Sequence, residues 1–162
     1  MPKTNPPAPP AAGAGGTRVI RRETLPHPRS FGRGAILLWD RRLGRRVPGF
    51  AAWRRGFPAA LGLQGGEGVK AMERFPPFIA RLVDLAAGLS RRETRIVAAG
   101  GGSVGDLAGF AAGILKRGVD LVHLPSTWLA AVDSAHGGKN ALNVGGAKNQ
   151  VGLFWFPSKV YL

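Results

Sequence analysis

The side chains best suited to bind an anionic ligand are concentrated in one stretch of the sequence. Residues 133–149 are rich in glycine and contain one carboxylate, three carboxamides and two lysines: Asp133, Lys139, Asn140, Asn143, Lys148 and Asn149. Polar groups cost free energy when they are buried without partners, so a segment that only builds a core does not need this many. Lysine acts as a compact point charge toward carboxylates and phosphates. The pattern therefore indicates a site for an anionic ligand.

A glycine-rich turn precedes this stretch. The apolar run 96–99 is typical of a buried strand and stops at Gly100, while the small apolar residues 107–115 predict a closely packed helix. Gly100, Gly102 and Gly105 have the spacing G-x-G-x-x-G, and the free N–H groups of a helix start can bind a phosphate or pyrophosphate. The alternative is a turn that only lets the helix pack tightly on a sheet.

A second strand and turn follow. Residues 119–124 predict a buried strand, and Pro125-Ser126-Thr127 is a helix-start signal. A short helix is expected from Trp128 to Val132. The alternation of strand and helix favours a mostly parallel sheet with right-handed crossovers.

Four motifs in this order and spacing resemble the 3-dehydroquinate synthase family. They are the turn from Gly100 to Asp106, Pro125-Ser126-Thr127, Asp133-Ser134 with Gly138-Lys139, and Lys148-Asn149. The resemblance covers roughly residues 93 to 162, with a fainter match back to Ala35. The wider group of sugar-phosphate cyclases, which make cyclitols, is also similar, and Gly137-Gly138-Lys139 favours the dehydroquinate branch.

The resemblance implies an α/β fold with a Rossmann-like, mostly parallel sheet and flanking helices. We expect a disordered, basic and proline-rich tail over residues 1–30 and an NAD-binding α/β domain over residues 31–162. In the family, a helical second domain carries a glutamate and two histidines that bind the metal. We therefore expect this chain to be an incomplete synthase that is truncated before that domain and inactive alone.

The resemblance also implies the reaction. Enzyme-bound NAD oxidises one hydroxyl of a seven-carbon sugar-acid phosphate, phosphate leaves, the hydride returns, and the product closes to 3-dehydroquinate. This is a lyase step of the shikimate pathway, which leads to aromatic amino acids. A divalent metal, usually zinc, polarises the hydroxyl in the complete enzyme.

The site residues follow from the resemblance position by position. It assigns catalytic roles to Asp133, Lys139 and Asn149. It assigns cofactor contacts to a larger set: Asp40, Glu67, Lys70, Gly100, Gly101, Gly102, Gly105, Asp106, Ser126, Thr127, Asp133, Lys139, Lys148 and Phe154. Solvent-facing lysines in a loop are the alternative for Lys139 and Lys148.

For several of these candidates a purely structural role is an alternative. Asp40 follows the apolar strand 35–39, where nucleotide-binding sheets often place a ribose contact, but it could equally cap a helix or turn. Glu67 and Lys70 resemble a family segment that touches the dinucleotide, and a surface loop with an ion pair is the alternative. For Asn140 and Asn143 we expect turn formation.

Other elements are structural predictions. Residues 18–21 could form a short edge strand, residues 47–61 a short irregular helix, and Leu63 could end a small strand. Residues 75–89 have apolar positions at helical spacing.

A metal site within this chain is not expected. His123 and His136 are the histidines of the glycine-rich half, but no third ligand lies at a suitable spacing. His123 is interpreted as a partly buried strand residue. His136 departs from the family, which has a small or apolar residue there.

Composition sets the remaining expectations. The formal net charge is +14, and eleven arginines fall between Arg18 and Arg55. A basic surface attracts anions, and a non-catalytic basic module that binds nucleic acid or another protein is the rival hypothesis, although nucleic-acid binding is not favoured. Cysteine is absent and no run is long enough to span a membrane, so we expect a cytoplasmic enzyme. The resemblance is also compatible with a homodimer or a separate carboxyl-terminal domain.

Overall fold

The computed structural model describes residues 16–162. Their main feature is a sheet of six parallel strands. The strands are β1 (Arg18–Ile20), β2 (Ala35–Asp40), β3 (Ala59–Leu63), β4 (Arg95–Gly100), β5 (Asp120–Pro125) and β8 (Lys159–Tyr161). Their spatial order across the sheet is β1-β8-β5-β4-β2-β3. The fold is therefore the expected α/β, Rossmann-like arrangement.

A separate antiparallel hairpin is formed by β6 (Lys139–Val144) and β7 (Ala147–Phe154). Its two-residue turn is Gly145-Gly146, and both glycines have positive φ, at 55° and 83°. Such turns match the twist of the flanking strands but need residues that tolerate positive φ. The hairpin was not predicted, and Asn140 and Asn143 lie within β6, so the expectation that they form turns is wrong.

The helices pack on both faces of the sheet. They are α1 (Leu43–Arg46), α2 (Phe50–Arg54), α3 (Phe75–Leu85) and α4 (Gly102–Ile114), with short 3₁₀ turns at Pro28–Phe31, Glu67–Lys70, Met72–Arg74 and Leu115–Arg117. The predicted helix after Thr127 is present as a helical turn with a π-helical segment, Ala130–Ser134. The predicted helices at 75–89 and 107–115 are confirmed, and β3 confirms the small strand that ends at Leu63.

Alternating side chains of the strands build two hydrophobic cores. Ile36, Leu38 and Ile96 face α3, α4 and the hairpin, whereas Leu37 and Val97 face α2 and the aromatic side chains Phe31, Phe50 and Phe57. Strands that are buried on both faces read as continuous apolar runs, which is why these strands were recognised in the sequence.

Two boundaries differ from the sequence predictions. β1 pairs with β8 and a 3₁₀ turn covers Pro28–Phe31, so the ordered domain begins before residue 31; residues 1–15 lie outside the described part. The edge strand predicted at residue 18 is thereby confirmed. The irregular helix predicted over 47–61 ends at Arg54, because β3 starts at Ala59 and pairs with β2.

None of the helices in residues 16–162 combines the length and the apolar composition needed to cross a bilayer.

Candidate functional site

The glycine turn joins the carboxyl end of β4 to the start of α4. Val104 and Gly105 donate their backbone N–H groups to the carbonyl of Gly101 at 3.1 and 3.0 Å. Among the described residues, this leaves the amides of Gly102 and Ser103 without a backbone acceptor, as expected for the first turn of a helix. The turn therefore offers free N–H groups at the edge of the sheet.

The next turn lies against this one. Ser126 donates its backbone N–H to the carbonyl of Gly100 at 2.9 Å, and the Thr127 hydroxyl accepts the N–H of Ala130 at 3.2 Å. A Cβ atom on Gly101 would lie 3.2 Å from Thr127 Cγ2. The structure thus brings Ser126 and Thr127 next to the glycine turn.

Lys70 lies at the centre of a polar cluster beside the turn. Its side chain is 4% exposed, and Nζ donates to Asp106 Oδ2 and Asn149 Oδ1, both at 2.6 Å. Nζ also lies 3.4 Å from Glu67 Oε1. Lys70 is thus buried, although its partner Asp106 keeps 19% of its side chain exposed. The expected ion pair with Glu67 is present, but the alternative of a surface loop is wrong for Lys70.

The side chains of Asn143 and Ser103 also belong to this cluster, although the sequence did not assign them to the site. Glu67 accepts hydrogen bonds from Asn143 Nδ2 at 2.9 Å and from Ser103 Oγ at 3.1 Å. The hydrogen bond from Asn143 holds the pKa of Glu67 below its usual range, outweighing burial, and Lys70 acts in the same direction. Glu67 therefore connects the hairpin to the first turn of α4.

A β-bulge in the hairpin directs Asn149 toward Lys70. Leu142 pairs with Val151 and Val144 pairs with Ala147, so Asn143 alone lies opposite residues 148–150. Asn149 has φ of 56°, and its N–H donates to Asn143 Oδ1 at 2.9 Å. Bulges commonly redirect a side chain in this way.

Asp106 is shared between the cluster and an open pocket. Burial raises the pKa of Asp106 above its ordinary value, although Lys70 opposes this. The pocket has a volume of about 290 Å³ and is lined by Asp106, Lys139, Asn140, Ala141, Asn149, Gly152, Leu153 and Phe154. It therefore contains one lysine, one carboxylate and one carboxamide among the predicted site residues, with Phe154 as an apolar wall.

Three further predicted site residues belong to neither this pocket nor the turns and the cluster described above. Asp133 is exposed on the π-helical segment, and Lys148 is exposed on β7 beside Asn149. Asp40 lies at the end of β2 in a second pocket. Asp40 accepts the N–H of Arg42 at 2.9 Å, so its alternative as a turn cap is confirmed.

His123 is buried in β5 under the first turn of α4, with 5% of its surface exposed, so it is more deeply buried than the sequence predicted. A Cβ atom on Gly105 would lie 3.0 Å from His123 Cε1, so a glycine at this position lets the helix approach the strand. Desolvation, with a smaller contribution from His136, lowers the pKa of His123 to about 4. Within residues 16–162 no three His, Cys, Asp or Glu side chains are grouped in a way that could hold a metal ion.

The buried histidine predicts an acid-sensitive fold. The unfolded chain binds a proton on His123 near pH 6.5, whereas the folded chain resists it until about pH 4. The buried neutral imidazole therefore costs no stability above pH 6.5, and the free energy of unfolding falls as the pH drops toward 4, by about 2 to 3 kcal/mol at pH 4.5. Urea unfolding at pH 7 and pH 4.5 should show this loss. The His123→Leu variant should lose less stability between the two pH values, whereas replacement of the exposed His27 by Asn should leave the loss unchanged.

Comparisons with known proteins identify the family of the chain. A family profile described as 3-dehydroquinate synthase N-terminal matches residues 60–162, which is more than half of the chain. The chain belongs to the 3-dehydroquinate synthase family. The synthase of Pyrobaculum islandicum is 40% identical over 90% of this chain and 39% of the relative. That of Alkaliphilus oremlandii is 42% identical over 62% of this chain and 27% of the relative.

Solved structures of related cyclases have the same fold. A 2-deoxy-scyllo-inosose synthase complexed with carbaglucose-6-phosphate, NAD⁺ and Co²⁺ matches with a TM-score of 0.68 and 36% identity, over 83% of this chain and 37% of that one. The 2-epi-5-epi-valiolone synthase of Streptomyces hygroscopicus, with NAD⁺ and Zn²⁺ bound, has a TM-score of 0.75 and 25% identity, over 94% and 44%. The chain thus spans less than half the length of these members.

Proposed function

We propose that residues 16–162 form the dinucleotide-binding part of a 3-dehydroquinate synthase. The observation that carries this proposal is the turn between β4 and α4, with two free amides and no side chain on Gly101 or Gly102. Such a helix start attracts a pyrophosphate through its N–H groups and its dipole. Two related cyclases contain NAD⁺, which supports NAD as the ligand of this turn.

The pocket beside Asp106 is the proposed substrate site. Lys139 is exposed at its edge and supplies a positive charge for an anionic sugar phosphate, while Asn149 is held in place by Lys70. Bound NAD supplies a reversible hydride acceptor. The protein's own contribution is to orient the substrate beside it, through Lys139 and the Asn149 carboxamide. The alternative is a related sugar-phosphate cyclase that makes a cyclitol, which the likeness to a 2-deoxy-scyllo-inosose synthase supports.

The metal of the family does not fit the described residues. Because residues 16–162 contain no suitable group of ligands, we assign no step of the reaction to a metal held by them. We propose that the complete enzyme binds its metal through a part that these residues do not include. The 162-residue chain supplied with zinc should then form no dehydroquinate.

Gly102→Val tests the pyrophosphate site. A Cβ atom on Gly102 would already lie 3.2 Å from Ser134 Oγ, and the added methyl groups would occupy the space above the free amides. Calorimetry should show NAD binding to the parent chain and at least a tenfold loss in the variant. Gly16→Val is the matched control, since nothing lies within 4 Å of that position. Equal affinity of Gly102→Val and Gly16→Val for NAD would exclude the turn as the pyrophosphate site. A thermal melt should confirm that Gly102→Val is folded.

Lys139→Ala tests the substrate pocket. In an enzyme completed with the metal-binding part of a relative, phosphate release should fall at least tenfold, because the charge that orients the substrate is lost; a factor of ten corresponds to about 1.4 kcal/mol. Lys159→Ala removes the same charge from β8 and should leave the rate unchanged. A normal rate in Lys139→Ala would place the substrate elsewhere.

A further inference from the structure

The helical segment after β5 packs against the glycine turn. It begins at Thr127, whose carbonyl accepts the N–H of Ala131 at 2.9 Å, and it ends in the π-helical residues Ala130–Ser134. A Cβ atom on Gly102 would lie 3.2 Å from Ser134 Oγ and 3.8 Å from Ser134 Cβ. The hydroxyl of Ser134 therefore lies directly beside Gly102, next to the free amides of the turn.

The hydroxyl of Ser134 is available to a ligand. Elsewhere in the segment, Thr127 Oγ1 accepts the N–H of Ala130, and the imidazole of His136 contacts a backbone carbonyl. Ser134 is half-buried, and its hydroxyl makes no hydrogen bond to another residue between 16 and 162. A hydroxyl carries one donor that rotates to suit its acceptor. Ser134 can therefore donate to an anion bound at the neighbouring amides.

An irregularity in the segment precedes Ser134 and depends on the hydrogen bond of Ala135. In an α-helix, Ala135 would donate its N–H to the carbonyl of Ala131, four residues back. Here Ala135 donates to the carbonyl of Ala130 at 3.0 Å, five residues back, which is the π-helical bond. No backbone N–H of the described chain takes its place at Ala131. The π-helical bond thus leaves the Ala131 carbonyl without its usual donor.

The side chain of His136 supplies that donor. Its Nε2 lies 2.8 Å from the carbonyl oxygen of Ala131, and because a carbonyl only accepts, Nε2 carries the proton. The backbone N–H of His136 also donates to the carbonyl of Asp133 at 3.0 Å. His136 is therefore bonded to residues on both sides of the irregularity. An apolar side chain at this position could not make the bond to Ala131.

We propose that Ser134 is a further binding residue for the pyrophosphate of the dinucleotide, and that His136 is the positioning residue that holds Ser134 beside the turn. The hydroxyl of Ser134 donates to a phosphate oxygen, and the amides of Gly102 and Ser103 bind the same group. Hydrogen bonds to charged acceptors are stronger than those between neutral groups. This inference rests on the proposed function, because it adds a residue to the ligand site of the same turn.

Calorimetry with NAD on the 162-residue chain tests the binding role. Ser134→Ala should weaken NAD binding by roughly tenfold, because a hydrogen bond to a charged oxygen is lost. Ser30→Ala is the matched control, since it removes a hydroxyl from the 3₁₀ turn before β2 and should change nothing. Unchanged affinity in Ser134→Ala overturns the binding role.

Three replacements of His136 test the positioning role. His136→Gln should bind NAD like the parent, because its amide nitrogen can take the place of Nε2 and donate to Ala131. His136→Asn is too short to reach that carbonyl, and it should weaken NAD binding severalfold, as His136→Val should. If His136 acts through Ser134, His136→Val combined with Ser134→Ala should bind no more weakly than Ser134→Ala alone. Additive losses, or a weak His136→Gln variant, overturn the positioning role.

The outcomes separate this inference from the proposed function. Loss of NAD binding in Gly102→Val with normal binding in Ser134→Ala keeps the NAD site and overturns the inference. If the parent chain binds no NAD, the proposed function fails and inorganic pyrophosphate becomes the probe. Pyrophosphate binding that weakens in Ser134→Ala then supports the hydroxyl as an anion ligand. Pyrophosphate binding that is absent, or equal in the parent and Ser134→Ala, overturns it.

Discussion

Replacing Lys70 by methionine is expected to lower the free energy of unfolding by about 4 kcal/mol. Removing one member of a buried ion pair leaves the other charge without compensation, which typically costs about 3 to 5 kcal/mol. Here the loss strands Asp106 and also removes the donor to Asn149. Urea unfolding at pH 7 measures the effect, and substrate binding should weaken with it because Asn149 is no longer held at the proposed substrate pocket.

The double variant Lys70→Met with Asp106→Leu is the control. It removes both charges, so at least half of the lost stability should return. A cost below about 1 kcal/mol for the single variant would mean that the pair behaves like an exposed salt bridge. The double variant would then recover none of the lost stability.

Replacing Gly109 by alanine is expected to detach the hairpin from α4 and to cost about 3 kcal/mol. A Cβ atom on Gly109 would lie 1.8 Å from Oδ1 and 2.3 Å from Cγ of Asn140. Asn140 is buried, and its Nδ2 donates to the carbonyls of Gly138 and Trp155 at 2.8 and 2.9 Å. Displacing the carboxamide removes the donor to the Trp155 carbonyl, at about 1 to 3 kcal/mol, whereas the Gly138 carbonyl keeps the backbone N–H of Trp155. This exceeds the gain of roughly 1 kcal/mol from alanine in a helix.

Gly113→Ala is the matched control on the same helix. Its Cβ atom would meet Leu153 Cδ1 at 2.7 Å, but that atom is the free end of an apolar side chain that can move. Thermal unfolding should therefore separate the two variants. If the contact with Asn140 is responsible, Gly109→Ala combined with Asn140→Ala should cost no more than Asn140→Ala alone. Additive losses would contradict this explanation.

The elements that could be predicted from the sequence are those whose characteristic residues lie close together along the chain. The apolar run before Gly100 and the small residues of α4 lie within twenty residues of each other, so strand, turn and helix were recognised together. The hairpin was missed because Asn140 and Asn143 look like turn formers when their partners are not known. The pair Gly145-Gly146 between two six- to eight-residue segments was the available signal.

The state of individual site residues depended on distant parts of the chain. A lysine in a glycine-rich segment reads as exposed, yet the two oxygens that accept hydrogen bonds from Lys70 Nζ come from 36 and 79 residues away. The same holds for Asp40, whose position at the end of a strand was predictable. The close contact between Gly65 and the Asp40 carboxylate, however, depends on how the loop after β3 folds back.

The pairing of β1 with β8 joins the first and last strands of the described chain. Thr17 donates its hydroxyl to the carbonyl of Pro157 across 140 residues. Closing a loop of that length costs about 4 kcal/mol of chain entropy, and such non-local pairing slows folding. β8 also lies between β1 and β5, so a nascent chain exposes the open edge of β5 until Lys159–Tyr161 has left the ribosome. Unpaired strand edges associate readily, and this interval is when the growing chain depends most on protection by chaperones.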